Sequence, residues 1–298
     1  SFKFNFFDKP EENSVETNHK GSDNTRPTPV QLSLGDGWER SAALLKRNFK
    51  YGDDKAVSIL REDQVEQCVK VFAPEIGEDM KMIEALSSDI DVISGVVEGG
   101  FTVWDGTRHL LNYLVKENID FKDKRVLDLG CGAGLLGIHA LINGAKFALF
   151  QEFNQCVIKA WTINNVKIQS SIRFNQTDFW SGDWEDLADI WSSQEKQFDI
   201  ILTTETIYRS ELYPKLLRVF ESVSAPGCQI YVAGKLIYYG NNGTFEGFCE
   251  FINKRGGFSC KKIQIESENT CYGCLMMTRI GEKSNPHFSH LYKFRYLS

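Results

Sequence analysis

The sequence predicts an α/β fold in which a mostly parallel sheet carries helices on both faces. Apolar strand patterns alternate with amphipathic helix patterns from residue 124 to residue 255, which is typical of parallel sheets. A glycine-rich turn at 130–134 joins one of these strands to an apolar helix. The last two strand patterns, 258–265 and 273–280, are separated only by a polar turn, so they are expected to pair antiparallel.

The composition indicates a substantial core and an acidic surface. The 298 residues suffice for one large domain or two ordinary ones, and 42% of them are hydrophobic. The formal charge of −6 lacks the basic footprint of proteins that bind nucleic acid directly. An acidic chain of this kind suits a basic protein partner or a cationic ligand, although ordinary soluble proteins have the same balance.

Cysteine usage and the absence of long apolar runs predict the compartment. The eight cysteines form no compact disulfide framework, no signal peptide opens the chain, and no apolar run approaches the ~20 residues of a membrane helix. We therefore expect reduced cysteines, no membrane segment and a cytosolic or nuclear protein. Cys271 and Cys274 have the spacing of a zinc knuckle but lack its second pair of ligands, so no metal is expected.

Composition divides the chain into three parts. Residues 1–37 hold a phenylalanine-rich peptide and then a polar stretch that predicts a flexible linker. Residues 38–95 carry short helical patterns, such as those at 42–45 and 65–72, and predict an accessory helical cap. Residues 96–298 hold the α/β pattern, and we expect them to form the main domain.

Within that domain, hydrophobic periodicity predicts each element in turn. The first is a helix after residue 107, which Asp105 or Thr107 could cap. A later helix, 154–165, starts at another plausible cap, Asn154. The elements that follow the first helix are strand 126–129, helix 135–143, strand 147–150, helix 154–165, a strand near 171–175, strand 198–203, helix 211–223, strand 229–233 and helix 244–254.

The glycine-rich turn, Val126-Leu-Asp-Leu-Gly-Cys-Gly-Ala-Gly134, is the most informative motif. A nicotinamide-binding turn has the spacing G-x-G-x-x-G/A, whereas here the glycines lie at 130, 132 and 134 after Asp128. This spacing resembles the turn of S-adenosylmethionine-dependent methyltransferases. In such enzymes the turn meets the amino-acid part of the cofactor, so the resemblance favours that cofactor.

Acidic and aromatic residues follow the next two strands. Glu152 lies about twenty residues after the glycine turn, where folds of this kind place an acid that binds both ribose hydroxyls. Asp178, Asp183, Trp180 and Trp184 follow at the position where such folds hold adenine. For the two tryptophans, packing in the core is nearly as good an interpretation as contact with the base.

The end of strand 198–203 bears on the nucleophile. Enzymes that methylate amines of nucleic-acid bases carry Asn/Asp-Pro-Pro-Tyr there, but this chain has Thr204-Glu-Thr-Ile-Tyr208 and no proline. Glu205 and Tyr208 are three residues apart, a spacing that can place both side chains over one pocket. The alternative is a solvated glutamate and a packed tyrosine.

Several motifs together resemble the histidine protein N-methyltransferases of the methyltransferase-like group. They are the segments 1–6, 95–105, 126–137, 151–154, 181–184 and 202–208, which occur in that family's order. The resemblance covers residues 1–7 and about 92–280. The family pattern at 97–105 is Tyr-Glu-Gly-Gly-…-Trp-Glu, and this chain has Val97 in place of the Tyr and Asp105 in place of the final Glu. At the position of Glu152, relatives in the family often have Asp, which is also a carboxylate.

This resemblance implies a Rossmann-like seven-strand methyltransferase that uses S-adenosylmethionine. It implies methyl transfer to one histidine of a large-subunit ribosomal protein, at the imidazole nitrogen remote from the backbone. It also implies residence in the cytosol and nucleus, including the nucleolus, and we expect a monomer. The residues expected to bind the cofactor are Val103, Trp104, Asp105, Thr107, Asp128, Gly130, Gly132, Gly134, Gln151, Glu152, Asn154, Gly182, Asp183, Trp184 and Thr204.

The expected catalytic residues are Glu205 and Tyr208. A carboxylate that accepts the near N–H of a neutral imidazole leaves the far nitrogen free to attack, so Glu205 is the expected acceptor, directly or through water. Tyr208 would position the ring. A lysine methyltransferase of the same class, a non-catalytic cofactor-binding interaction protein and, more distantly, a nicotinamide oxidoreductase are the alternatives.

Overall fold

The computed structural model describes residues 27–32, 45–75, 92–93, 97–265 and 272–280. The phenylalanine-rich peptide, most of the expected linker and the helical pattern at 42–44 lie outside these residues.

Twelve strands and seven helices of the described chain provide the framework. The strands are β1 (Val30–Gln31), β2 (Lys46–Tyr51), β3 (Lys55–Leu60), β4 (Val92–Ile93), β5 (Val97–Glu98), β6 (Arg125–Leu129), β7 (Phe147–Glu152), β8 (Thr177–Ser181), β9 (Phe198–Thr204), β10 (Ser224–Lys235), β11 (Phe258–Ile265) and β12 (Tyr272–Arg279). The helices are α1 (Glu62–Glu75), α2 (Asp105–Lys116), α3 (Leu135–Ile142), α4 (Gln155–Val157, the π-helical turn Ile158–Thr162, and Ile163–Ile168), α5 (Trp184–Ser193), α6 (Tyr213–Val223) and α7 (Phe245–Arg255).

Eight of the strands form one sheet in the order β1-β8-β7-β6-β9-β10-β12-β11. Strands β8, β7, β6, β9 and β10 are parallel, and β12 then pairs antiparallel with both β10 and β11. The two-residue strand β1 adds antiparallel to the β8 edge. The predicted α/β class, with its parallel sheet and C-terminal antiparallel hairpin, is therefore confirmed.

The sheet separates two hydrophobic clusters. Val126 faces a cluster with α2, α3 and α4, whereas Leu127 and Leu129 face a cluster with α5, α6 and α7. All three side chains are fully buried, because a parallel strand covered on both faces has no solvent-exposed side. Among the described residues, no helix has both the length and the apolar character to cross a membrane.

The strand predicted near 171–175 was wrong in position. The observed strand is β8, which pairs with β7 from Thr177 onward, and residues Phe174–Gln176 form a 3-10 turn before it. Ile172 and Phe174 alternate with polar residues as in a strand, but Phe174 is 38% exposed, whereas Phe179 and Trp180 are buried. The strand that pairs in the sheet is therefore the one that contains the next apolar pair along the chain, Phe179 and Trp180.

The region expected to be a helical cap contains a β-hairpin as well as a helix. Strands β2 and β3 pair antiparallel, and α1 confirms the helical pattern at 65–72. Ile59 and Val69 join the same hydrophobic cluster as α4. The Asn165 side chain of α4 accepts a hydrogen bond from the Leu60 amide at 2.8 Å, which ties the hairpin to this helix.

Candidate active site

One cavity of about 810 Å³ opens at the carboxyl ends of the parallel strands. Ligands of open α/β sheets bind at this edge, because the loops that follow adjacent strands converge there. Eleven of the residues predicted to form the site line this cavity: Val103, Trp104, Thr107, Gly130, Gly132, Glu152, Asp183, Trp184, Thr204, Glu205 and Tyr208.

The glycine-rich turn forms one wall of the cavity. Gly130 and Gly132 have φ of +67° and +48°, a left-handed backbone that favours glycine. The Gly132 carbonyl accepts a hydrogen bond from the Thr162 hydroxyl at 2.7 Å, and Thr162 lies in the π-helical turn of α4. The α4 distortion therefore helps to hold the turn that lines the cavity.

Glu152, at the end of β7, braces this turn. Its Oε2 accepts the Gly132 amide at 3.0 Å, and its Oε1 accepts the Phe153 amide at 2.7 Å. Burial raises the pKa of Glu152 to about 7, although both backbone hydrogen bonds act in the opposite direction. Each carboxylate oxygen can accept a further hydrogen bond, so Glu152 can hold the turn and contact a ligand in the cavity.

Gln151 connects the glycine turn to the start of α5. Its Oε1 accepts the Gly130 amide at 3.2 Å and the Trp184 indole N–H at 2.7 Å, and its amide nitrogen donates to the Gly182 carbonyl at 3.0 Å. Asp183 caps α5 by accepting the Glu185 amide. Gln151 therefore positions the indole that lines the cavity.

Glu205 links the end of β9 to the first turn of α2. It has a φ of +58°, which is uncommon for a residue with a side chain. Its Oε1 accepts the Gly106 amide at 3.2 Å, and its Oε2 accepts the Tyr238 hydroxyl at 2.7 Å. Burial raises the pKa of Glu205, whereas the Tyr238 hydrogen bond opposes that rise. Beside it, the hydroxyls of Thr107 and Thr204 are 3.1 Å apart.

Tyr208 belongs to a second polar group, which it forms with Glu98 and Arg209. Its hydroxyl donates to Glu98 Oε2, and the Arg209 guanidinium contacts both oxygens of Glu98 at 2.9 Å. Burial, reinforced by the Glu98 charge, raises the pKa of Tyr208, so the phenol stays protonated. The two predicted catalytic side chains thus line one cavity, each held by its own partners.

Six of the residues predicted to bind a cofactor do not line the cavity: Asp105, Asp128, Gly134, Gln151, Asn154 and Gly182. Gly134 instead precedes α3 and packs against Thr162, while Gly182 packs against Pro29.

Asp128 points into the protein because the amino end of α3 lies beside it. Its Oδ2 accepts the Gly137 amide at 2.8 Å, and burial raises the pKa of the carboxyl to about 8. Asp105 is exposed in the first turn of α2, whose N-cap is Trp104 without a side-chain cap, so neither Asp105 nor Thr107 caps this helix. Asn154 occupies the N-cap position of α4, but its side chain accepts the Glu98 amide instead.

Asp178 and Trp180 also lie away from the cavity. Asp178, near the amino end of β8, pairs with Lys196 at 3.2 Å and accepts the Trp180 indole N–H at 3.0 Å. Trp180 is buried edge-to-face against Trp191. For Trp180 the core interpretation is therefore correct, whereas Trp184 lines the cavity.

Several residues of the cavity wall, and one residue that supports it, were not predicted from the sequence. Arg209 and Lys215 line the cavity beside Glu98 and Asp183, and Asn241 and Asn242 approach it from the loop after β10. Tyr238 of that loop binds Glu205. A signal was present, because a loop after a strand adjacent to β9 must reach the same edge of the sheet.

A parallel sheet with a C-terminal antiparallel hairpin, and a cavity beside the glycine turn, define a Rossmann-like methyltransferase fold. A solved methyltransferase structure complexed with SAH shares this fold with a TM-score of 0.50 at 15% identity, over 61% of this chain and 52% of that chain. The chain belongs to the family described as lysine methyltransferase, whose family model matches residues 89–246.

Curated relatives carry a different substrate in their name. The chain is 37% identical over 210 residues to the histidine protein methyltransferase 1 homolog of Bos taurus, across 62% of this chain and 56% of that protein. It is 35% identical over 184 residues to the homolog of the same name from Dictyostelium discoideum, across 62% of this chain and 58% of that protein. The chain therefore spans little more than half the length of these relatives.

Proposed function

We propose that this chain is an S-adenosylmethionine-dependent protein methyltransferase that modifies a histidine side chain. The observation that carries the proposal is the single cavity in which the glycine turn at 130–134 meets the acidic and aromatic groups at 204–208. The histidine methyltransferase relatives support the choice of imidazole as the methyl acceptor.

The cavity wall has the chemical groups that this cofactor requires. A Cβ added at Gly130 would come within 2.8 Å of Thr206, so only glycine leaves this backbone open beside the ligand. We propose that the turn holds the amino-acid part, that Glu152 accepts from the ribose hydroxyls, and that Trp184 stacks on adenine. When bound, the cofactor supplies an electrophilic methyl group on a positively charged sulfur.

The residues at 204–208, which line the same cavity, can select the imidazole tautomer. Because Tyr208 donates its hydrogen to Glu98, its oxygen offers a lone pair that can accept the near N–H of a neutral imidazole. Glu205 is a second acceptor that lines the cavity. With the near nitrogen held as a donor, the remote nitrogen keeps its lone pair and is the nucleophile.

Charge develops on the ring during transfer. Transfer would break the sulfur–methyl bond, leaving a neutral thioether, and form a nitrogen–carbon bond. The imidazole would then be a cation until the near N–H proton leaves to solvent. Glu98 and Glu205 are carboxylates on the same cavity wall, and preorganised negative charge stabilises such a cation. Alignment and charge stabilisation are the main tasks for the protein, because the sulfonium is already a strong methyl donor.

We further propose, from the family resemblance, that the substrate is a large-subunit ribosomal protein. Modification of a ribosomal protein fits an enzyme that resides in the cytosol and nucleus, including the nucleolus. The formal charge of −6 suits a basic protein of that kind.

A lysine acceptor is the second candidate, because the family model is described as lysine methyltransferase. A carboxylate such as Glu205 would hold an ammonium group as readily as an imidazole N–H. A third possibility, from another class, is a protein that binds the cofactor and a partner without turnover.

The deciding experiment is transfer of a labelled methyl group to an extract from cells that lack the enzyme, followed by identification of the modified side chain. Label on histidine supports the proposal, whereas label on lysine favours the second candidate. Cofactor binding without transfer to any protein would favour the non-catalytic alternative.

Single-turnover rates of Glu205→Gln and Tyr208→Phe then test the two acceptors. We expect each substitution to slow transfer by about tenfold or more. If both variants transfer the methyl group at the wild-type rate, neither Glu205 nor Tyr208 acts in the transfer step. Glu62→Gln, which alters an exposed pair with Arg47, is the matched control.

A further inference from the structure

The loop after β10 is held directly on the candidate catalytic segment. We call residues 236–243 the rim loop. Within it, Tyr238 donates to Glu205 at 2.7 Å, and the Gly243 amide donates to the Tyr208 carbonyl at 3.0 Å. Both contacts reach the residues proposed to orient the methyl acceptor, so the loop and the catalytic segment form one unit.

Asn242 adds a third attachment. Its Oδ1 accepts the Ser210 amide at 2.9 Å, and its Nδ2 donates to Glu211 Oε1 at 2.8 Å. The backbone at Gly243 approaches Ile207 so closely that a Cβ there would collide with the Ile207 carbonyl. These contacts restrict the loop, and a preorganised loop loses less entropy when it binds a partner.

The rim loop presents apolar side chains to solvent. Ile237 is 56% exposed and Tyr239 is 91% exposed, while Leu236 is 39% exposed. Gly240, Asn241 and Asn242, which follow directly, line the cavity. A tyrosine with so much free surface at the mouth of a cavity offers a large apolar contact with few rotatable bonds, a property of interface hot spots.

The charge at the cavity indicates the character of the partner. Five acidic residues line it against two basic ones, and both basic residues are already paired, Arg209 with Glu98 and Lys215 with Asp183. Glu211 is exposed at the same mouth. A positively charged segment is therefore the electrostatic complement of this surface.

We propose that Ile237 and Tyr239 bind a basic, extended segment of the substrate protein that flanks the methylated residue. This proposal rests on the proposed function for the presence of a protein substrate. An apolar residue of the segment packs on Tyr239 and Ile237, and its basic residues face Glu211 and the acidic cavity wall. The rim loop thus selects the sequence around the acceptor, while the residues at 204–208 act on the acceptor itself.

Peptide binding tests this surface without requiring turnover. The probe is a short fluorescein-labelled peptide with a central histidine, flanking lysines and arginines and one leucine, measured by anisotropy in the presence of S-adenosylhomocysteine. We expect the full chain to bind this peptide and the double variant Ile237→Ser/Tyr239→Ala to bind it about tenfold more weakly. A matched peptide with glutamates in place of the basic residues should bind the wild-type chain no more tightly than the basic peptide binds the double variant.

Two control variants make the result specific. Phe174→Ala and Val71→Ser remove exposed apolar side chains outside the cavity wall, and Phe174 precedes the amino end of β8, at the opposite edge of the sheet. Both controls should bind the basic peptide as wild type does. The proposal is overturned if the basic peptide does not bind, if the double variant binds it as tightly as wild type, or if the controls weaken it equally.

Methyl transfer separates this proposal from the proposed function. If transfer to hypomethylated large-subunit ribosomal proteins occurs, the double variant should raise KM about tenfold with kcat and cofactor affinity near wild type. Unchanged KM would overturn the rim-loop proposal and leave the function standing. Peptide binding as expected without any transfer would overturn the function and support the rim loop as a binding surface.

Discussion

Tyr238 donates its phenolic hydrogen to Glu205 Oε2 at 2.7 Å and so joins the loop after β10 to the turn after β9. Glu205 in turn accepts the Gly106 amide at the start of α2. One carboxylate therefore connects three segments that line or support the cavity. Its uncommon backbone conformation, with φ of +58°, persists because these contacts hold it.

We predict that Tyr238→Phe lowers kcat about tenfold while cofactor affinity changes little. Loss of this hydrogen bond frees Glu205 on one side, and a small displacement of a group near the reacting atoms is costly. Steady-state kinetics and calorimetry with S-adenosylmethionine measure the two quantities. Tyr239→Phe, which removes a hydroxyl from the exposed neighbour, is the control and should leave kcat unchanged. Equal kcat in both variants would contradict the role of the Tyr238 hydrogen bond.

We predict that Glu98→Gln lowers kcat by about ten- to a hundredfold. The substitution removes a partly buried charge and replaces one carboxylate oxygen with an NH2 donor, so Arg209 loses its ion pair and Tyr208 loses its charged acceptor. The binding constant for S-adenosylmethionine should stay within about twofold of wild type, which distinguishes a catalytic defect from unfolding. If the variant retains the wild-type rate, Glu98 does not contribute to methyl transfer.

The sequence predicted those elements whose pattern is local. The strand ending at Leu129, the glycine turn and the helix that follows are contiguous, and the spacing of the glycines reflects the backbone that β6 and α3 require. The terminal hairpin was equally clear, because two β-rich segments joined by a polar turn have few other ways to pair. The end of β9 brought Glu205 and Tyr208 to one cavity as expected.

Contacts that depend on the order of strands could not be predicted in the same way. Tyr238 reaches Glu205 because β10 lies beside β9, and Glu98 reaches Tyr208 because the segment before α2 folds over the glycine turn. Asp128 does not line the cavity, and the strand pattern alone does not reveal that its carboxyl oxygen would accept the Gly137 amide in the first turn of α3. The strand predicted near 171–175 was wrong because the alternation of Ile172 and Phe174 with polar residues does not determine which segment pairs with β7.

We predict that Gln151→Ala weakens S-adenosylmethionine binding about tenfold. Gln151 is fully buried and holds the Gly130 amide, the Trp184 indole and the Gly182 carbonyl, so its removal leaves three polar groups of the cavity wall and its support without this partner. Isothermal titration calorimetry measures the affinity, and a thermal melt reports the accompanying loss of stability. Gln194→Ala at the exposed end of α5 is the control. If both variants bind the cofactor alike, the contacts of Gln151 with Gly130 and Trp184 do not contribute to cofactor binding.

We predict that the free energy of unfolding falls as the pH rises, because the carboxyl group of Asp128 is buried. Burial raises the pKa of Asp128 to about 8 in the folded chain, against roughly 3.9 in an unfolded one. The folded state therefore holds this proton more tightly, and the stability it contributes below about pH 4 is lost as the pH rises toward 8. Glu152, with a pKa raised to about 7, acts in the same direction.

Asp128→Asn should remove the Asp128 part of this dependence, because an amide oxygen can still accept the Gly137 amide but carries no titrating proton. Melting temperatures without cofactor, from about pH 5 to about pH 9, should fall less steeply for the variant than for wild type. At the alkaline end the variant should melt several degrees higher, since about 1 kcal/mol corresponds to roughly 2–4 °C for a chain of this size. Asp54→Asn in the exposed turn of the β2–β3 hairpin should follow the wild-type curve. Parallel curves for wild type and Asp128→Asn across the whole range would show that Asp128 does not titrate in this window.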